Sequence, residues 1–244
     1  MMVNYLLKPN YIGMTLIQLL LPISIFAGIG AEWYWWLVCL FFYFIYMSIG
    51  HNVGMHRYFC HRYFKMRNRP IKWFVTWAAC CTGFGSPFSY TAIHNLHHTK
   101  YDTDVDVHGP WRGWKSLIYL FHRTPKTSEI TMTRNLLRLS KEYGWLHEYY
   151  WLFVFGTGLA FYLIGGLNLF LFGWAMPASL ALWAVSLILL LQHDKEGPNN
   201  STNHMWFGFG ERWHKNHHNN LALENHSDPG CKDWTYEITK VLRK

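Results

Sequence analysis

Residues 149–192 read YYWLFVFGTGLAFYLIGGLNLFLFGWAMPASLALWAVSLILLLQ, a run without a single Lys, Arg, Asp or Glu. About 20 apolar residues span the hydrocarbon core of a bilayer, so this run is long enough to cross twice. Gly165, Gly166 and Asn168 supply the turn between the crossings. Working outward, residues 9–31 and 33–50 are equally free of charge, and each predicts one more crossing. The expected fold is an all-α integral membrane protein. Its four transmembrane helices, near 11–31, 33–50, 149–166 and 169–192, form two hairpins. A His-rich helical cap (51–148 and 193–244) completes a single domain over 1–244.

The connections at the two hairpin tips carry no basic residue, so all 22 Lys and Arg fall on the opposite side. The positive-inside rule makes that side cytoplasmic, together with both termini. The net charge of +8 then reads as attraction to anionic headgroups. Nucleic-acid binding would account for the charge but not for the spans. Charged residues are 15% of the chain, against roughly 25% in a soluble domain, and aromatics are 19%. The first apolar stretch lacks a cleavage site and is followed at once by another, so it is expected to be a retained helix. The five cysteines lack CxxC spacing and receive no role.

All fifteen histidines lie outside the spans, and twelve of them cluster: His51, His56 and His61; His94, His97, His98 and His108; His193, His204, His214, His217 and His218. Two stretches, His94–His98 and His214–His218, share the pattern H-x-x-H-H. On a helix, residues three and four apart lie on one face, so each box is expected to aim three imidazoles at one point. His56 and His61 differ. Five residues correspond to about 500°, which leaves roughly 140° between them on an ideal α-helix, so each is expected to have different neighbours or a different metal. Imidazole suits iron, zinc, copper or nickel. Nine or so ligands exceed one tetrahedral zinc and match two metals of higher coordination.

Residues 71–93 are apolar enough for a fifth span. If they crossed, His56 and His61 would be separated from His94–His98 by the bilayer. The segment is therefore expected to lie along the interface or inside the cap, with Gly83, Gly85 and Pro87 breaking it.

Taken together, the three boxes resemble those of the membrane fatty-acid desaturases of the stearoyl-CoA and Δ9 type. Gly54–Arg62 is similar to that family's glycine-led H-x4-H box. His94–His98 with the later Asp106-Val107-His108 is similar to its second box, and Gly210–His218 to its third. Tyr90 stands where relatives commonly carry Trp, and Arg212 replaces the second glycine of Gly-Glu-Gly. The resemblance implies two irons, Fe2+, held by His56, His61, His94, His97, His98, His204, His214, His217 and His218, with Asn200 holding a metal through a water. His51, His108 and His193 would support ligands from behind, or lie at the interface. His122, His147 and His226 are expected at the surface, and Arg123 would meet a headgroup phosphate.

An unactivated methylene has no acidic proton, so its oxidation requires a metal that activates O2, the co-substrate. The chain has no haem-attachment, four-cysteine or dinucleotide motif, so electrons must come from an external donor such as ferredoxin or cytochrome b5. The basic residues Arg62, Lys65, Arg67, Arg69 and Lys72 would suit an acidic donor, or equally a solvated juxtamembrane face. The expected reaction introduces a cis double bond, at Δ9, into an acyl group carried on CoA, acyl carrier protein or a glycerolipid. Alternatives are a related di-iron lipid hydroxylase or ketolase and, in a different class, a membrane metal transporter or a haem-binding protein.

Overall fold

A computed structural model describes residues 11–108, 110–194, 197–201 and 208–244, with side chains at 110–112 excepted. The chain is mostly helical. Helix α1 (Tyr11–Ala27) ends in a turn at 28–32, after which α2 (Trp33–Phe44) runs on as a π-wound continuation, Ile45–Cys60. The continuous helix Trp33–Cys60 is 28 residues long and apolar enough to cross a membrane.

Helix α3 (Arg69–Cys81) starts where Asn68 accepts a hydrogen bond from the Ile71 amide, with Pro70 in its first turn. It runs back along the π-wound segment. A Cβ on Gly50 would stand 2.4 Å from the Ala78 carbonyl oxygen, and one on Gly54 2.9 Å from Val75. The Gly50-x-x-x-Gly54 pair is thus what lets the two backbones touch. The chain then reverses at 82–86, where Gly83 and Gly85 adopt φ of 75° and 103°. Helix α4 (Pro87–Lys100), capped by Ser86, returns to the starting level. Tyr150 ties the reversal down, donating to the Cys80 carbonyl (2.8 Å) and accepting from the Gly85 amide (3.1 Å). Residues 71–93 therefore go out and back, and the first two histidine clusters meet, as the sequence requires.

Short 3-10 turns lead to α5 (Arg134–Glu148). Helix α6 (Tyr150–Phe170) breaks at Gly165 and Gly166, where the expected turn lies, then passes through a π-wound turn, Leu171–Ala175, into α7 (Met176–Leu191). The two limbs pack antiparallel: a Cβ on Gly158 would meet Trp174, and one on Gly173 would meet Phe161. Helix α7 also packs against both α1 and α2. Gln18, buried in α1, links these elements: it donates to the Leu117 carbonyl (2.7 Å), accepts from the Tyr119 amide, and its own carbonyl accepts from Ser179 and Trp183. Outward-facing Leu16, Ile23, Leu40, Phe41, Leu159 and Leu163 stay exposed, giving the bundle an apolar exterior. The chain closes with a two-residue ladder of β1 (His193–Asp194) on β2 (Gly197–Pro198), then α8 (His214–Asn219) and α9 (Trp234–Leu242).

Gly50→Val should force α2 and α3 apart against rigid backbone and lower stability by roughly 1–3 kcal/mol or more. Thermal unfolding followed by size-exclusion fluorescence checks this; an unchanged melting temperature would refute the close approach.

Candidate metal centre

Two groups of histidines could each hold a metal ion: His56, His61, His94, His98 and His217, and His97, His193, His214 and His218. Within each group the ligand atoms lie within 4.8 Å of one another. Several Nε2 atoms face each other directly: His56 and His217 at 3.0 Å, His61 and His94 at 3.1 Å, His94 and His98 at 2.8 Å, His98 and His217 at 3.0 Å, His193 and His214 at 2.9 Å. Nitrogens bound at about 2.1 Å to one ion and about 90° apart would stand roughly 3.0 Å from each other. The spacing is that of a coordination shell's edges, and an all-imidazole donor set suits a transition metal.

Each box divides between the groups. His94 and His98 face one and His97 the other; His214 and His218 face one and His217 the other. The expectation that a box aims all three rings at one point is thereby corrected. Neighbouring helical residues diverge by about 100°, so the adjacent His-His of each box cannot serve one ion, whereas the i,i+4 pair can.

His56 and His61 are brought together, with ring centroids 4.8 Å apart. The expected divergence assumed α-helical winding. The segment is π-wound, and the His61 amide bonds the His56 carbonyl (3.1 Å), so residue i+5 lies over residue i.

Carboxylates hold the rings from behind. Asp106 Oδ2 is 3.0 Å from His97 Nδ1, Asp102 Oδ2 3.0 Å from His193 Nδ1, and Glu211 Oε2 3.2 Å from His56 Nδ1. Such partners fix which nitrogen is left for a metal. Asp102 adopts φ of 58° and donates its amide to Asp106 Oδ2, which couples the second box to His193. Although burial opposes it, the neighbouring His97 and its hydrogen bond keep the Asp106 carboxyl below the usual range. Tyr63 Oη approaches His217 Nδ1 and His226 Nε2 at 3.3 Å each, and His226 meets Arg57, whose guanidinium pairs with Asp233 at 2.7 Å, wholly buried.

Several sequence assignments change. His193, expected behind the ligands, stands among them. His204 lies outside the described residues. Asn200 pairs with Asn216 of the third box, its Nδ2 donating to Asn216 Oδ1 (2.9 Å) and its Oδ1 accepting the Asn216 amide, so it braces α8. His51 and His108 are buried beside the groups without joining either. His226 and His122, expected at the surface, are buried, the first stacked on His217 at 4.5 Å and the second bonded to the Ser116 carbonyl. His147 is half-buried and bonds Ser86. The Arg123 guanidinium, expected to meet a headgroup, pairs with both Glu129 oxygens (2.7 and 2.5 Å). The sequence marked His193 as a neighbour of the ligands and not as one of them, because its own neighbours form no box. The charge and spacing of Asp102 and Asp106 could have marked the carboxylates.

The family model described as fatty acid desaturase matches residues 31–228. The chain belongs to this family. Relatives with which it shares sequence include the delta-9 acyl-lipid desaturase 2 of Arabidopsis thaliana (26% identity, covering 79% of this chain and 65% of that protein). The sn-1 stearoyl-lipid 9-desaturase of Anabaena variabilis is 25% identical over 88% of this chain and 82% of its own length. The acyl-CoA C20 Delta5-desaturase of Anemone leveillei is 25% identical over 91% and 74%. The chain thus spans just under two thirds of the Arabidopsis protein and more of the others.

Burial holds His61, His94, His98, His214 and His217 well below the usual histidine range, and His218 and His226 down at about 2. In the unfolded chain they titrate near 6.5, so below that pH the unfolded state binds more protons and stability falls. The metal-free protein should therefore lose stability progressively as pH drops from about 6.5 toward 4, measured by thermal melts across pH. A flat profile would contradict buried neutral rings. Separately, Asp106→Ala should weaken metal binding by roughly 10–100-fold in competition with a chelator.

Proposed function

We propose that this protein is an oxygen-dependent acyl desaturase that introduces a cis double bond, at Δ9, at a di-iron centre. The irons would be held by His56, His61, His94, His98 and His217 on one side, and His97, His193, His214 and His218 on the other. The observation carrying this reading is the pair of adjacent all-histidine groups at the end of an apolar bundle. His193 joins the set because it stands within reach of His214, while His204 lies outside the described residues. Bound iron would supply the reduction of O2 that oxidises an unactivated methylene.

The remaining work falls to the chain. Asp102, Asp106 and Glu211 would orient the imidazoles, and the reacting carbons would be selected by where the acyl chain is held, since about 1 Å of misplacement can cost roughly a hundredfold. Phe84, Val185, Ile188 and Leu189 form the apolar wall nearest His56, His94 and His214, so the acyl chain would arrive from the bundle side. The names of the relatives, acyl-lipid and acyl-CoA desaturases, support a fatty acyl substrate.

Four spans, two in each hairpin, would place both termini and the metal centre on the cytoplasmic side. An external acidic donor such as ferredoxin or cytochrome b5 would dock there. A groove of about 480 Å³ is lined by Arg62, Lys65, Arg67, Arg69, Lys72, Arg138 and Lys244. Of these, only Lys72 and Arg138 form ion pairs among the described residues, both with Glu142. Arg62 directly follows His61, whose ring stacks on Tyr63 at 5.2 Å, so a donor seated in the groove would be next to the first histidine group.

Expression in a desaturase-deficient host, with double-bond mapping of its lipids, should show a C9 double bond that disappears in His97→Ala. Recovery of hydroxylated lipid alone would reject desaturation. Arg67→Glu with Arg69→Glu should raise the KM for an acidic donor severalfold, with kcat at saturating donor retained. An unaltered KM would move the docking face elsewhere.

A further inference from the structure

A small cavity of about 30 Å³ lies between the two histidine groups, bounded by His56 and His94 of one and His214 of the other. Its other polar lining is His51, Tyr90, His108 and Glu211, each at most 5% exposed. Three of these residues have a buried atom without a hydrogen-bond partner among the described residues: His51 Nε2, His108 Nδ1 and Glu211 Oε1. Buried polar atoms are rarely left unpaired, and three around one cavity point to a missing ligand.

The ligand's chemistry follows from the hydrogen bonds behind His51. Asn52 Nδ2 lies 2.6 Å from the Gly208 carbonyl, which can only accept, so the Asn52 amide must donate there. Its Oδ1 therefore faces His51 Nδ1 (3.0 Å), and that nitrogen carries the proton. His51 Nε2 is left with a lone pair turned to the cavity. Glu211 is anchored by its other oxygen near His56 and by its carbonyl, which accepts from Gln192 (2.6 Å), so Oε1 is a second acceptor. Two acceptors select a ligand with two donor hydrogens. Bare O2 has none. The cavity exceeds the roughly 10–15 Å³ that a water needs, so a water fits.

We propose that this cavity is a built water site, in which one resident water donates to His51 Nε2 and Glu211 Oε1 and accepts from His108 Nδ1. Three bonds is the usual number for a buried water. The role of this water rests on the desaturase reading. Forming a double bond from two methylenes by O2, two electrons and two protons releases two waters, and the cavity is a water station flanked by both histidine groups. His51 acts here as a positioning residue.

The test is a high-resolution structure of the full-length, metal-loaded protein and of two variants, with metal content measured in each. Wild type should show one water bonded to His51 Nε2 and Glu211 Oε1. His51→Phe should lose it, His51→Gln should keep it, and metal content should be the same in all three. A dry cavity, a metal bound directly to His51 Nε2, or a substrate hydroxyl in the water's place would each overturn the assignment. So would a water that persists in His51→Phe. Lipid analysis of the same wild-type protein judges desaturation separately, so failure of one reading leaves the other measurable.

Discussion

Nine imidazoles crowded into a buried space, with nitrogens about 3 Å apart, set the terms for the rest of the molecule. Neutral rings that present lone pairs to each other repel, and protonated rings would do so more strongly in a low-dielectric site. The repulsion is eased where a ring is held by its far nitrogen and where a cation can sit between the near ones. Asp106, Asp102 and Tyr63 hold His97, His193 and His217 in this way, and Glu211 Oε2 stands 3.2 Å from His56 Nδ1. The buried Arg57–Asp233 pair extends this support, since Asp233 also caps α9 and accepts the His226 amide. Breaking such a pair leaves an unpaired buried charge, so α9, remote in sequence, is committed to the centre.

The same requirement explains the departures from regular helix. A ligand pair five residues apart can converge only if the helix is wound wider, and wide winding weakens packing inside the turn. Gly50 and Gly54 compensate by letting α3 press its backbone onto this stretch. The reversal at 82–86 then returns α4 to the level of His56 and His61, with Tyr150 fixing the loop from the second hairpin.

Much of this was legible in the sequence because it is local. The charge-free run 149–192 and its Gly165-Gly166 break follow from composition, and the His-x-x-His-His boxes from spacing. That 71–93 does not carry the first two clusters apart followed from requiring them to meet, but its out-and-back course was not read from the sequence. What was hidden depends on winding or on distant partners. Nothing local says that Ile45–Cys60 is π-wound. His193 looks like any histidine after a span until Asp102, 91 residues earlier in the chain, is seen holding its Nδ1. His226 reads as a loop histidine, yet Arg57 and Tyr63 draw it inward. Arg123 pairs with a glutamate six residues away, a pairing its sequence permits without requiring.

The two approaches to the centre are chemically opposite and structurally separate. The cationic groove by Arg62 and Arg67 and the cavity by Val185 and Ile188 share no lining residue. A charged macromolecule gains from the first face, where exposed cations steer its approach, and an alkyl chain gains nothing there. An alkyl chain gains from the second, which continues into the apolar bundle. With His61 half-exposed near the groove and His214 buried at the cavity, the histidine groups lie between these surfaces. A centre so placed can be approached from two sides of unlike chemistry without one approach blocking the other.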